Sequence, residues 1–226
     1  MSHVAVHSRV PGSAGQTRRY EGWGLWWRWV AVLVGGELIG FAVPSVVGAV
    51  AAGLRLSEIA FMICVVLAGA GEGAVLGTAQ WLVLRLAIPQ MRWREWATPT
   101  ALAALAAWII GMAPSTFVDF EKTDPAVLIA GGIVLGSLFV LSMGGAQWWA
   151  LRRYMPRAGW WVAANAVAWP AGVAMPFITL GVIPDDSSVI VMIVAGILGG
   201  ILMGVVVGII TGLALVWLLR TSPDKS

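Results

Sequence analysis

Charge is what this sequence has least of. Asp, Glu, Lys and Arg supply 11% of its 226 residues, against about 25% in an ordinary soluble domain. With 59% hydrophobic residues beside that shortage, the composition excludes a soluble globular class and predicts an integral membrane protein. Cysteine is nearly absent too. The single Cys64 lies in an apolar run, which excludes an intrachain disulfide. The two histidines, His3 and His7, stand in a polar tail, so no His/Cys cluster falls in an apolar run and neither a metal nor a cofactor is expected. There is no Walker-type loop, dinucleotide fingerprint or nucleophile elbow, and no catalytic residue is assigned. The net charge of +3 does not argue for nucleic acid, because the basic residues sit at the ends of apolar runs, where they act as topology signals.

What the chain does have is glycine, 28 in all. Gly196, Gly200, Gly204, Gly208 and Gly212 recur every fourth residue, with Gly199 as an extra, among Ile, Leu, Met and Val. Residues four apart share one face of a helix, so these form a groove about 24 Å long. In water each interior glycine costs about 1 kcal/mol relative to alanine. In lipid, small residues let two backbones approach, and dispersion packing drives association. Gly204, at the centre, is expected to tolerate a large side chain least. Gly199, about 100° off the stripe, is expected to tolerate it better.

Six apolar runs reach the roughly 20 residues that cross a bilayer core: 27–51, 59–84, 98–117, 126–151, 160–182 and 189–219. They are continuous and lack the period-two alternation of β-barrel strands. The fold expected is an all-α integral membrane protein of six transmembrane helices, residues 25–220. A disordered tail over 1–24 precedes them and a short tail over 221–226 follows. The first run has no cleavage-site pattern and is expected to be retained as a span. Of the fourteen Lys and Arg, only Arg55 and Lys122 fall on one side of the predicted spans, which otherwise carries Glu58, Asp119, Glu121, Asp124, Asp185 and Asp186. The positive-inside rule puts both termini in the cytoplasm and the protein in the cell (inner) membrane. Twelve of the fourteen tryptophans map to the basic side, a one-sided belt.

The spans read as three hairpin repeats, roughly 25–86, 93–153 and 159–220. Gly77, Gln80, Trp81, Leu84 and Arg85 have the same spacing as Gly144, Gln147, Trp148, Leu151 and Arg152. Gly208 and Thr211 form a degenerate third copy. Span one carries Trp29, Glu37, Gly40 and Pro44; span five carries Trp161, Trp169, Gly172 and Pro176 at identical spacing. The even spans share glycine rows: Gly69, Gly73 and Gly77 in the second, Gly132, Gly136 and Gly144 in the fourth. They are expected to pack close together around a pseudo-threefold axis along the membrane normal, with the odd spans outside or between. The repeated Gly-x-x-Gln-Trp-x-x-Leu-Arg ending, followed by a loop with Pro and Trp, resembles a pattern in small uncharacterised bacterial multi-pass membrane proteins. The resemblance covers about a quarter of the chain and implies a fold family without an activity.

Two carboxylates lie inside spans, Glu37 and Glu72. An ionised carboxylate in hydrocarbon costs about 3 kcal/mol on insertion scales. Each must therefore face protein or water, meet a donor, or hold a proton or cation. Glu37 is about 13 Å from the level of Arg28 and Glu72 about 20 Å from that of Arg85, so packing of spans one and two would bring them within a turn or two. Neither recurs: Glu37 aligns with Trp108 and Trp169, Glu72 with Phe139 and Met203. Gln80, Gln147 and Asn165 are a candidate polar pathway, expected to hydrogen-bond between helices. Pro44, Pro114, Pro170 and Pro176 interrupt the odd spans. Three functions follow in order: a structural or partner-binding role, with lipid, other membrane proteins or a second copy as partners; a small proton- or cation-coupled permease using Glu37 and Glu72; and a lipid-modifying enzyme, which would need polar residues converging near one interface.

Overall fold

The computed structural model describes residues 22–184 and 186–222; expectations placed on residues 1–21, Asp185 and Lys225 fall outside them. The described chain forms six helices: α1 (Trp23–Gly53), α2 (Glu58–Ala87), α3 (Trp93–Phe117), α4 (Pro125–Leu151), α5 (Gly159–Gly181) and α6 (Val189–Thr221). All six are long and apolar enough to cross a membrane. Several begin before the hydropathy runs do. α3 starts five residues early because Glu95 accepts a hydrogen bond from the Arg92 backbone N–H at 3.1 Å, which stabilises a polar first turn that hydropathy does not register. α2, α4 and α6 start from side-chain caps at Ser57, Asp124 and Ser188. Pro44, Pro114, Pro170 and Pro176 lie within α1, α3 and α5, which run on through them. The expected interruptions therefore do not divide the helices.

The helices close into a ring in chain order, each packed on its predecessor and successor, with α6 against α1. This corrects the expectation that the even helices gather together. Their glycine faces turn sideways onto the following odd helix. A Cβ at Gly77 would lie 2.9 Å from the Ala97 Cα in α3, one at Gly144 3.1 Å from the Val162 Cα in α5, and one at Gly204 2.9 Å from the Val34 Cα in α1. The reason is what fills the centre. Trp29 of α1, Trp96 of α3 and Trp161 of α5 are wholly buried, with ring centroids 6.5, 5.8 and 5.9 Å apart and edge-to-face. Three indoles at the centre leave no room for three helix backbones.

The packed core lies toward the basic end, where Leu25, Leu33, Leu84, Leu151, Leu215 and Leu218 join the three tryptophans. Toward the acidic end α4 stands away from its neighbours, and a Cβ at Gly132 or Gly136 would meet nothing within 4 Å. The same is true of Gly196 and Gly200 in α6, whereas Gly199 faces α5, where a Cβ would lie 2.7 Å from the Pro176 Cα. The close face of α6 at that level is thus the one carrying Gly199. The stripe residues Gly204, Gly208 and Gly212 face α1.

Candidate functional site

Glu37 and Glu72 sit near the middles of α1 and α2. Gly36 and Gly40 flank Glu37 and bring the two helices together. A Cβ at Gly36 would lie 3.1 Å from Leu76 Cδ1, and one at Gly40 would lie 3.2 Å from both Cγ and the carbonyl oxygen of Glu72. α1 therefore presses on the backbone of Glu72 itself, within one helical turn of Glu37.

The two acids have different surroundings. Glu72 Oε2 accepts a hydrogen bond from the Trp108 indole N–H at 2.6 Å. Trp108 reaches it from α3 because Gly69 leaves a gap beside its ring, and Phe41 of α1 stacks on the indole, centroids 6.2 Å apart. The pair is thus walled by α1, α2 and α3. Glu37 is 1% exposed, and neither of its carboxyl oxygens has a hydrogen-bond partner. Buried polar groups are almost always bonded, so an unpartnered carboxyl beside a second acid is the most unusual polar feature of the bundle. Chemically the pair can share a proton or share a cation; two carboxylates with no third acidic, Cys or His ligand among the described residues do not make a transition-metal cluster.

Gln80 and Gln147 do meet, but in the core at the basic end. Gln147 Nε2 donates to Gln80 Oε1 at 3.0 Å and to Thr100 Oγ1 at 3.1 Å. The central indoles supply the rest: Trp96 donates to Gln80, Trp161 to Gln147 and Trp29 to Thr211, at 2.9 to 3.0 Å. Asn165 turns inward on its own helix, donating to the Trp161 carbonyl and accepting from Trp169. These amides are bonded to tryptophans and hydroxyls, and Gln80 is two helical turns along α2 from Glu72, about 12 Å. The candidate pathway and the carboxyl pair are separate features.

Sequence reasoning missed the roles of Trp29, Trp96 and Trp161, which looked like members of a headgroup belt. The signal available was position: each precedes or opens an apolar run at the depth of a glutamine or threonine on the neighbouring span. The outer tryptophans Trp23, Trp27, Trp93, Trp149, Trp160 and Trp217 are exposed, as members of such a belt would be. Its one-sidedness has a partial cause in the three indoles that build the core at that end. A second polar cluster also went unseen. Glu95 at the start of α3 accepts from the Tyr154 hydroxyl at 2.6 Å and from Arg153 at 3.2 Å.

The described residues therefore form a bundle of six helices, each long and apolar enough to cross a membrane, with an acid pair at the contact of α1 and α2. No protein-family profile, curated protein or solved structure matches the chain.

Proposed function

We propose that the protein is a small proton- or cation-coupled membrane protein working through Glu37 and Glu72. The observation that carries this reading is the pair of unpartnered, buried oxygens of Glu37 on the turn of α1 that packs against Glu72. A purely structural or partner-binding bundle gains nothing from such a group: a buried carboxyl without a partner costs free energy, and an apolar residue of similar size would pack there without it. Polar groups retained inside a membrane at such a cost mark functional sites by default. With Trp108 bonded to Glu72, the second acid is held in place while Glu37 is left to exchange what it binds.

The reading includes three hairpins related by duplication, in the cell membrane with both termini cytoplasmic. The like bonding of Gln80 to Trp96, Gln147 to Trp161 and Thr211 to Trp29 supports the duplication. Counted from those indoles, the residue eight positions on is Glu37, Ala104 and Trp169, so in α3 it is Ala104, rather than Trp108, that takes the place of Glu37. On either alignment the acids belong to the first hairpin alone, as an asymmetric site would require.

The test is Glu37→Gln and Glu72→Gln, singly and together, in protein reconstituted into vesicles, with proton flux read by an internal pH dye and carboxyl infrared bands followed from pH 5 to 9. Coupling predicts that the variants fold, lose the flux and lose a titrating band. A bundle that acts only as scaffold predicts normal folding, no flux in any form and no titrating band in the original protein.

A further inference from the structure

At the basic end a groove of about 350 Å³ opens between the start of α3 and the end of α4, lined by Arg94, Glu95, Thr98, Pro99, Trp149, Ala150 and Arg153. Its volume falls in the range of roughly 300 to 1,000 Å³ typical of small-ligand sites. The charges in it are unequally engaged. Both oxygens of Glu95 are taken: Oε1 by Arg153 at 3.2 Å, and Oε2 by the Tyr154 hydroxyl at 2.6 Å and the Arg92 backbone N–H at 3.1 Å. Arg94 has no acidic partner among the described residues. Arg152 stacks on the Trp149 ring, 3.4 Å from its centroid, and so helps to hold that wall of the groove. Arg94 and Arg153 therefore share the groove with one carboxylate whose oxygens are both engaged, at the first turn of a helix whose N-terminal end favours anions.

We propose that this groove binds the phosphate of an anionic phospholipid headgroup. Arg94 supplies the uncommitted guanidinium, and Arg153, held in place by Glu95, supplies a second. The Thr98 hydroxyl adds a donor. Trp149 is 51% exposed, and its indole suits the boundary between headgroup and acyl chain. The depth favours a lipid over a soluble anion: the groove lies among exposed tryptophans at the ends of membrane-spanning helices, where the lipid phosphates stand. Anionic lipids are enriched in the cytoplasmic leaflet, on the side the basic end is read to face.

The test uses the full chain in a neutral detergent, titrated with phosphatidylglycerol, phosphatidylcholine or sodium phosphate, with retained lipid counted by native mass spectrometry and Tm read in parallel. Phosphatidylglycerol is expected to bind saturably and raise Tm, and phosphatidylcholine to do so far less. Arg94→Gln should weaken phosphatidylglycerol binding roughly tenfold, the scale of one charge-assisted contact. Arg153→Gln should weaken it more, because it also frees the Glu95 carboxylate to repel the phosphate. Arg55→Gln, at the far end of α1, should bind like the original. Equal binding of the two lipids, a full Tm shift with inorganic phosphate alone, or an unchanged midpoint in Arg94→Gln would each overturn the assignment.

Discussion

Gln80 and Gln147, 67 residues apart in sequence, meet amide to amide in the core, the Nε2 of Gln147 donating to the Oε1 of Gln80 at 3.0 Å. Each amide also accepts the indole N–H of a central tryptophan, Trp96 on Gln80 and Trp161 on Gln147. The three indoles pack edge to face through their carbon atoms, so their N–H groups must point outward to polar side chains on α2, α4 and α6. The amides and the tryptophans thus form one unit, and removing either part strands the other.

That unit sets the first prediction. Gln147→Leu leaves the Trp161 N–H buried without an acceptor and removes a donor to Gln80 and Thr100. The loss expected is about 1 to 3 kcal/mol per stranded group, seen as a lower Tm in detergent and a changed tryptophan emission. Gln80→Leu should behave alike. The double variant should cost less than the two single losses added, because the amides share a bond. Strict additivity would mean that they do not act together.

Glycine substitutions should sort by what each Cβ meets. Gly204→Leu and Gly199→Leu both force a side chain into a helix backbone, at Val34 and Pro176 respectively. Each should cost about 1 to 3 kcal/mol or more. Gly200→Leu and Gly132→Leu enter open space and should leave Tm near its original value. The expectation that Gly199 is the tolerant position thus gives way to Gly200 being so. Thermal unfolding of the four variants in one detergent checks the ranking.

Glu37→Leu should raise stability while removing function. It replaces an unpartnered buried carboxyl with an apolar side chain of similar size, a gain of about 1 to 3 kcal/mol. Glu72→Leu should gain less or lose, since it strands the Trp108 N–H. A fall in Tm for Glu37→Leu would mean that the carboxyl has a stabilising partner in the membrane.

Tyr154 lies just past the end of α4, and burial, followed by its bond to Glu95, pushes its phenol up from 10.0 to about 12. A pKa raised in the folded state means that this stabilisation is complete below pH 10 and is lost as pH climbs toward 12. Tyr154→Phe should remove that alkaline loss and lower stability at neutral pH by about 1 kcal/mol. The absorbance of ionised tyrosine against pH gives the direct reading, with one late-titrating phenol of the chain's two gone in the variant.

Orientation is testable by labelling. On a Cys64→Ser background, Asp119→Cys and Asp186→Cys are expected to react with an impermeant thiol reagent in intact cells, and Arg92→Cys and Arg157→Cys only after lysis. The opposite pattern would invert the topology.

The sequence by itself determined the number of membrane-length helices, their approximate limits and their close connections. Those depend on local hydropathy and on the need to satisfy every backbone group within its own segment in lipid. It also marked Glu37 and Glu72, since a charge within an apolar run is conspicuous without any structure. The tertiary structure decided which faces meet. A glycine row shows that something packs closely, but the row on α6 fits an α2 or α4 backbone as well as it fits Val30 and Val34 of α1. The choice was made by three tryptophans too bulky to lie anywhere but the centre and by polar atoms that had to meet their N–H groups. Nor did sequence distinguish the two acids. Glu72 has a donor because Gly69 admits Trp108 from a helix some forty residues on, and Glu37 has none because Gly36 and Gly40 close its helix against α2.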